Sequence, residues 1–95
     1  MSKAEEKRMA VKRSYLISRR HELNITQYRV ADRIGMEVTT YNQIENGKLG
    51  NLMNAYWLEK LAYALELPVD VVVRLESKYY VDYCKVNNLH RYYLD

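Results

Sequence analysis

The sequence has few of the residues that interrupt helices and lacks the patterns that mark several common protein classes. Its 95 residues contain one proline and three glycines, which favours helices joined by short turns. The single cysteine excludes a disulfide framework and a cysteine-rich zinc site. Because no long apolar run is present, we expect no membrane-spanning helix. A chain of this length is expected to form one domain with at most a small appendage.

Charge is distributed unevenly along the chain. Residues 1–33 hold nine Lys and Arg against four Asp and Glu, whereas residues 34–95 hold six against eight. This basic first third predicts an anionic partner, such as nucleic acid or a membrane surface. The segment MSKAEEKRMA at residues 1–10 is charged where a signal peptide would be apolar, so we expect a cytoplasmic protein.

Apolar spacing and end signals predict five helices. The expected spans are 4–22, 27–34, 38–46, 54–66 and a fifth helix that begins near Pro68 and runs through Leu75. Because the apolar stripe of the first span is thin near its start, an arm is the alternative for its first turns. Thr26 is expected to cap the second helix. Gly35 and Gly47 are expected to end the second and third helices, because the residue just past a helix often needs a positive φ. The fold class is therefore expected to be all-α.

Residues 77–95 are expected to form a separate C-terminal extension. Residues 79–86 and 89–94 are rich in strand formers, and the Asn87-Asn88 pair between them suits a tight turn, so we favour a β-hairpin or strand. One more helix is the alternative, because large residues there also recur at helical spacing. Since tyrosine is typical of interfaces, we expect the extension to mediate dimerisation through Tyr79, Tyr80, Tyr83, Tyr92 and Tyr93.

Residues 26–47, TQYRVADRIGMEVTTYNQIENG, carry the most informative spacing. Counting from Gln27, a small residue (Ala31) falls at the fifth position and a glycine (Gly35) at the ninth. A larger residue at the fifth position would push two crossing helices apart, and glycine permits the turn between them. This spacing predicts a helix-turn-helix.

The segment resembles the helix-turn-helix of phage-repressor and Cro-type transcriptional regulators, also called the xenobiotic-response-element (XRE) family. The resemblance extends from about Leu16 to Val73 and rests on four further motifs: Thr26-Gln27, Ile44-Glu45-Asn46-Gly47, Leu61-Ala62-Tyr63-Ala64-Leu65 and Pro68-Val69-Asp70. It implies a five-helix, lambda-repressor-like DNA-binding domain over residues 1–76.

The resemblance also implies which residues contact DNA. The third helix would enter the major groove, with four residues on one helical face towards the bases: Val38, Thr39, Asn42 and Gln43. Phosphate contacts are expected from Gln27, Asn46 and Lys48, and from Arg13 in the basic first helix. Arg20 matches the first-helix arginine that in relatives pairs with the glutamate matched by Glu45, a structural pair.

Three residues depart from the family pattern: Glu37, Glu66 and His21, which occupies a position that is often apolar. Glu37 stands where the family usually has Ser or Thr as the cap of the third helix, and its carboxylate would repel a nearby phosphate. Glu66 replaces the common glycine after the fourth helix, which is expected to cost some stability.

The sequence therefore predicts a sequence-specific, double-stranded-DNA-binding transcriptional regulator, a repressor that binds a palindromic operator as a homodimer. No cofactor, metal, membrane or small-molecule partner is expected. No catalytic constellation is evident, so we expect no enzyme. The alternative is a protein-interaction module that reuses the fold, such as an antitoxin or an inhibitor of a host system. RNA binding is a more remote alternative.

Overall fold

Five α-helices make up the described part of the chain. A computed structural model describes residues 8–48 and 53–89, and no strand is present in these two ranges. The helices are α1 (Ser14–Glu22), α2 (Gln27–Ile34), α3 (Val38–Glu45), α4 (Ala55–Leu65) and α5 (Val69–Val86). None of them is both long and apolar enough to cross a membrane. The expected all-α fold class is confirmed.

Local signals explain where these helices begin and end. Thr26 Oγ1 and Asn54 Oδ1 each accept a hydrogen bond from the backbone N–H three residues further on, at 3.1 and 3.0 Å. Gly35 ends α2 in the left-handed region, with a φ of 72°. Glu66 ends α4 with a φ of 57°, a conformation that favours glycine. The cost expected at Glu66 therefore has a conformational basis.

The core lies where α1, α2, α3 and α4 meet. Its buried members are Leu16, Val30, Ala31, Ile34, Tyr41, Ile44, Leu61, Ala64 and Leu65. A smaller cluster between α4 and α5 consists of Leu58, Ala62 and Val72. Because the inner side of α3 is packed into this core, the opposite side of α3 faces outward.

α5 is one continuous helix of 18 residues, so the strand or hairpin expected over residues 79–86 is wrong. The helical alternative describes these residues because Tyr79, Tyr83 and Cys84 pack together in the interior. A helix brings residues four apart to one side, and this burial outweighs the strand preference of the segment. The domain boundary expected after residue 76 falls inside α5. The second strand, expected over residues 89–94, lies outside the described ranges except for Leu89.

α1 begins at Ser14, so the helix expected from residue 4 is wrong for residues 8–13, and the alternative of a non-helical arm describes them. Residues 1–7 lie outside the described ranges. The segment 8–13, called the N-terminal segment below, lies against α5 and the end of α3. Met9 N–H donates to Asn87 Oδ1 at 2.7 Å, and Asn87 Nδ2 donates to Met9 O at 3.1 Å. These long-range bonds replace the intrahelical bonds that a longer α1 would make.

Candidate nucleic-acid interface

α3 has one buried and one exposed side. The buried side holds Tyr41, Ile44 and Glu45. The four predicted base-contacting residues lie on the other side: Val38, Thr39, Asn42 and Gln43. Thr39, Asn42 and Gln43 are exposed, whereas Val38 is half-buried and packs partly against the core. Three of the four predicted side chains are therefore exposed to solvent, and the fourth only in part.

Gln27 connects the start of α2 with α3. Its Nε2 donates to Glu45 Oε1 at 2.8 Å, and its Oε1 accepts from Asn42 Nδ2 at 3.1 Å. The second bond orients the amide of Asn42 and leaves one N–H donor and the Oδ1 acceptor of that amide. This remaining pair complements the donor and acceptor that adenine presents in the major groove. Gln27 thus positions a side chain that can contact bases.

The pair expected between Arg20 and Glu45 is present. Arg20 Nε lies 2.7 Å from Glu45 Oε2 and Arg20 Nη2 lies 3.2 Å from Glu45 Oε1, the two-pronged arrangement that arginine makes with carboxylates. Arg20 Nη1 also donates to Ile25 O at 3.2 Å. The pair joins α1 to α3 and lies on the buried side of α3, so its role is structural.

The surroundings of Glu45 keep its carboxylate ionised. Burial by itself would raise the pKa of Glu45. The hydrogen bonds from Arg20 and Gln27, together with the nearby Tyr41 hydroxyl and the charge of Arg20, outweigh burial and hold the pKa of Glu45 below its ordinary value. Conversely, burial raises the pKa of the Tyr41 hydroxyl, so Tyr41 stays neutral beside this ion pair.

Acid is expected to remove the stability that Glu45 contributes. Because its pKa is lower in the folded chain than its ordinary value of 4.5, the stabilisation is present above about pH 4.5 and is lost as the pH falls through the folded pKa. Glu45→Gln is expected to lower the free energy of unfolding by about 2 kcal/mol at pH 7. The gap should narrow as the pH falls below 4.5, because protonation of Glu45 removes the charge that distinguishes it from glutamine. Urea titrations across this range measure the gap, and a gap independent of pH would contradict the ion-pair role.

Of the four residues predicted to contact phosphate, Gln27 bonds to Asn42 and Glu45, and the other three divide into two groups. Lys48 is exposed just beyond α3, and Asn46 is half-buried, with its Nδ2 donating to Asn42 O at 2.9 Å. Arg13, by contrast, is 0% exposed, so the prediction that it contacts phosphate is wrong. Its guanidinium turns inward because Glu76 on α5 supplies a buried carboxylate, with Nη2 and Oε2 2.9 Å apart.

Glu37 lies at the start of α3. It is the N-cap residue, it is exposed, and its side chain makes no capping hydrogen bond. A carboxylate here interacts favourably with the positive end of the helix dipole. The same charge opposes the approach of a phosphate to this end of α3.

Two of the five tyrosines predicted at a dimer interface pack in the interior of the chain. Tyr79 and Tyr83 are 5% and 4% exposed, so the prediction that they lie at a dimer interface is wrong. Tyr80 is half-buried and stacks on Tyr83 with ring centroids 6.0 Å apart. Tyr92 and Tyr93 lie outside the described ranges. Because Tyr79 and Tyr83 are four residues apart on α5, both side chains lie on the buried side of this helix.

One buried cluster was not predicted from the sequence. Arg13, Tyr15 and Glu76 meet in the interior, where Tyr15 donates its hydroxyl hydrogen to Glu76 Oε1 at 2.6 Å. The sequence does contain a signal for this cluster. Glu76 lies between Val72 and Tyr79 at helical spacing, so a carboxylate interrupts the apolar stripe of α5. A carboxylate in such a stripe requires a buried cation or hydrogen-bond donor, and that requirement could have located the cluster.

Comparison with known proteins gives the same assignment for α1, α2 and α3. A family model described as helix-turn-helix matches residues 16–51. No curated protein and no solved structure matches the chain. The matched range contains the α2–α3 pair, the turn at Gly35 and the exposed face of α3. α2 and α3 therefore form a DNA-binding helix-turn-helix, and residues 16–51 are similar to the phage-repressor and Cro-type (XRE) family of regulators.

Proposed function

We propose that the protein is a sequence-specific transcriptional repressor that binds a palindromic operator in double-stranded DNA as a homodimer. The observation that carries this proposal is the exposed face of α3. There the Asn42 amide is oriented by a hydrogen bond to Gln27 of α2 and keeps a donor and an acceptor for a base edge. The protein acts by binding rather than by catalysis, needs no cofactor, and works in the cytoplasm.

In this proposal, specificity comes from the exposed side chains of α3. Asn42 and Gln43 carry amides that can each pair with a donor and an acceptor on one base. Thr39 offers a methyl and a hydroxyl group, and the exposed part of Val38 offers methyl groups for thymine. Because α3 is packed between α1 and α2, these side chains approach the groove as a fixed set.

Phosphate contacts would set the register of α3 in the groove. The N-terminal end of α2 has no acidic residue in its first turn, and the backbone N–H groups at such an end bind anions. Lys48 is exposed at the other end of the motif and supplies a positive charge. Affinity is therefore expected to fall steeply as salt rises, since phosphate binding releases counterions.

A homodimer would place two copies of α3 on a palindrome. Closed two-fold symmetry is the commonest arrangement of soluble oligomers, and it presents two recognition helices to half-sites about one helical turn apart. Since Tyr79 and Tyr83 are buried, the proposed dimer must use other surface. Light scattering of the chain, alone and with its duplex, tests this part of the proposal.

Removing the two amides of α3 is expected to abolish most sequence preference. Asn42→Ala/Gln43→Ala should bind the duplex selected by the wild-type chain from a random library about 100-fold more weakly. Its affinity for random duplex should change little, because the phosphate contacts remain. Fluorescence anisotropy titrations at fixed salt measure both affinities.

A matched control uses two exposed uncharged residues on other helices. Ser18→Ala/Ser77→Ala changes α1 and α5, and we expect wild-type affinity for the selected duplex. Equal binding by both double variants would show that Asn42 and Gln43 do not contact bases.

A protein-interaction module is the second candidate function, and the position of Glu37 favours it. An exposed carboxylate at the start of α3 suits a basic protein partner better than a phosphate backbone. Light scattering with random duplex at low salt separates the two candidates. A complex with duplex supports the repressor, and a monomer that ignores duplex supports the interaction module.

A further inference from the structure

The last four carbonyl groups of α3 all accept hydrogen bonds, and Arg13 supplies two of the donors. A helix leaves these four carbonyls without partners inside the helix. Asn42 O and Gln43 O accept from the backbone N–H groups of residues 46 and 48, at 3.0 and 2.9 Å. Glu45 O accepts from Arg13 N–H at 2.8 Å. Ile44 O accepts from Arg13 Nη1 at 3.0 Å, in addition to the backbone N–H of Gly47. One residue outside the helix-turn-helix thus completes the end of α3.

The same guanidinium is fixed to α5. Arg13 Nε lies 3.0 Å from Glu76 Oε1, and Nη2 lies 2.9 Å from Glu76 Oε2. The ring of Tyr79 stacks against the guanidinium, with Cζ 4.3 Å from the ring centroid. Burial opposes the charge of Arg13, but the hydrogen bonds and charge of Glu76 outweigh it and raise the pKa of Arg13 above its ordinary value. The link between α5 and α3 is therefore charged, buried and geometrically restrained.

A second arginine makes a similar contact at the end of another helix. Arg19 Nε donates to Leu65 O at 2.9 Å and Arg19 Nη2 donates to Glu66 O at 3.1 Å, at the end of α4. Its acidic partner Glu22 is exposed, and α4 carries none of the predicted DNA contacts. Arg19 therefore serves as a matched reference for an arginine that stabilises a helix end without touching α3.

We propose that Arg13 is a positioning residue for base recognition, which holds the C-terminal turn of α3 in register with α5. The inference rests on the proposed function of α3. α3 has eight residues, little more than two turns, and both Asn42 and Gln43 lie in its second half. A loosened end would displace their amides, and paired hydrogen bonds to a base edge tolerate little displacement.

The test removes the polar cluster without leaving a buried charge unpaired. The triple variant Arg13→Met/Tyr15→Phe/Glu76→Met replaces the three polar side chains with apolar ones of similar size, a change that proteins often accept. Ile44 O then loses its side-chain donor. Arg19→Met is the control, because it removes the equivalent bonds from the end of α4.

Two readouts are expected to change in the triple variant and stay constant in the control. Amide hydrogen exchange at residues 46–48 should become about tenfold faster. Discrimination between the selected duplex and one with a single changed base pair should also fall about tenfold. Wild-type exchange and wild-type discrimination in a folded triple variant would overturn the proposal.

A second variant covers the case in which the triple variant does not fold. Arg13→Lys keeps the positive charge but lacks the rigid fork that reaches Glu76 and Ile44 O together, so the same two changes are expected. Unchanged readouts in this variant would overturn the positioning role. If the wild-type chain does not discriminate between duplexes, the proposed function fails, and base positioning fails with it. The exchange rates then still decide separately whether Arg13 holds the end of α3.

Discussion

Glu76→Ala is expected to lower the free energy of unfolding by about 3–5 kcal/mol, because it leaves the buried charge of Arg13 without its counter-charge. Arg13 and Glu76 are 0% and 2% exposed, so water cannot replace the lost carboxylate. The Tyr15 hydroxyl loses its acceptor in the same variant. The effect should be largest in the N-terminal segment and at the end of α3, which the cluster joins to α5.

A matched change on the same helix isolates burial as the cause. Asp70 and Arg74 also lie on α5, with Asp70 Oδ2 and Arg74 Nη2 4.0 Å apart and side chains 82% and 70% exposed. Asp70→Ala is expected to cost about 0.5 kcal/mol, since water screens exposed pairs. Urea unfolding followed by circular dichroism measures both variants. Similar small losses in the two would show that Arg13 finds another partner when Glu76 is removed.

Gly47→Ala is expected to cost about 2–6 kcal/mol, the sum of an unfavourable backbone conformation and a steric overlap. Gly47 has a φ of 70°. A Cβ there would overlap the carbonyl group of Val11, whose carbon would lie only 2.7 Å away. Because this neighbour is backbone, the N-terminal segment must move, and the bond from Arg13 N–H to Glu45 O is strained with it.

Gly35 provides the comparison, because it has nearly the same conformation without the neighbour. Its φ is 72°, and a Cβ there would meet nothing within 4 Å. Gly35→Ala is therefore expected to cost about 1 kcal/mol from conformation alone. Thermal unfolding of the two variants side by side measures the difference. Equal losses would contradict the packing of the N-terminal segment against Gly47.

The helix-turn-helix could be predicted from the sequence because short-range chemistry determines it. The span 27–34 expected for the second helix is confirmed, and the third ends one residue earlier than expected, at Glu45. Thr26 caps α2 with its own side chain, and Gly35 takes the positive φ that ends it. Signals of this kind act over three or four residues and are visible in the sequence.

The conformation of the two ends of the described chain could not be predicted, because contacts with residues far away in the sequence determine it. Residues 8–13 have helix-forming composition, yet their backbone groups bond to Asn87 and Glu45 instead. Residues 79–86 have strand-forming composition, yet burial of Tyr79 and Tyr83 holds them in α5. Such contacts between residues far apart in the chain override local preference.

The candidate interface was predictable to the extent that helical spacing determines which side of α3 is exposed. The family resemblance implied Thr39, Asn42 and Gln43, and helical spacing placed them on one face, which the structure leaves exposed. The prediction for Arg13 failed, because a basic residue in a charged stretch suggests a solvated surface position. Only the carboxylate of Glu76, 63 positions away in the chain, explains why this arginine is buried.

Selection of bound sequences from a random duplex library tests the central claim most directly. The wild-type full chain is incubated with the library at moderate salt, and the retained duplexes are sequenced after several rounds. Sequence-specific binding through α3 predicts enrichment of one site, arranged as an inverted repeat with half-sites about 10 base pairs apart. Retained sequences that match the composition of the starting library would contradict the account.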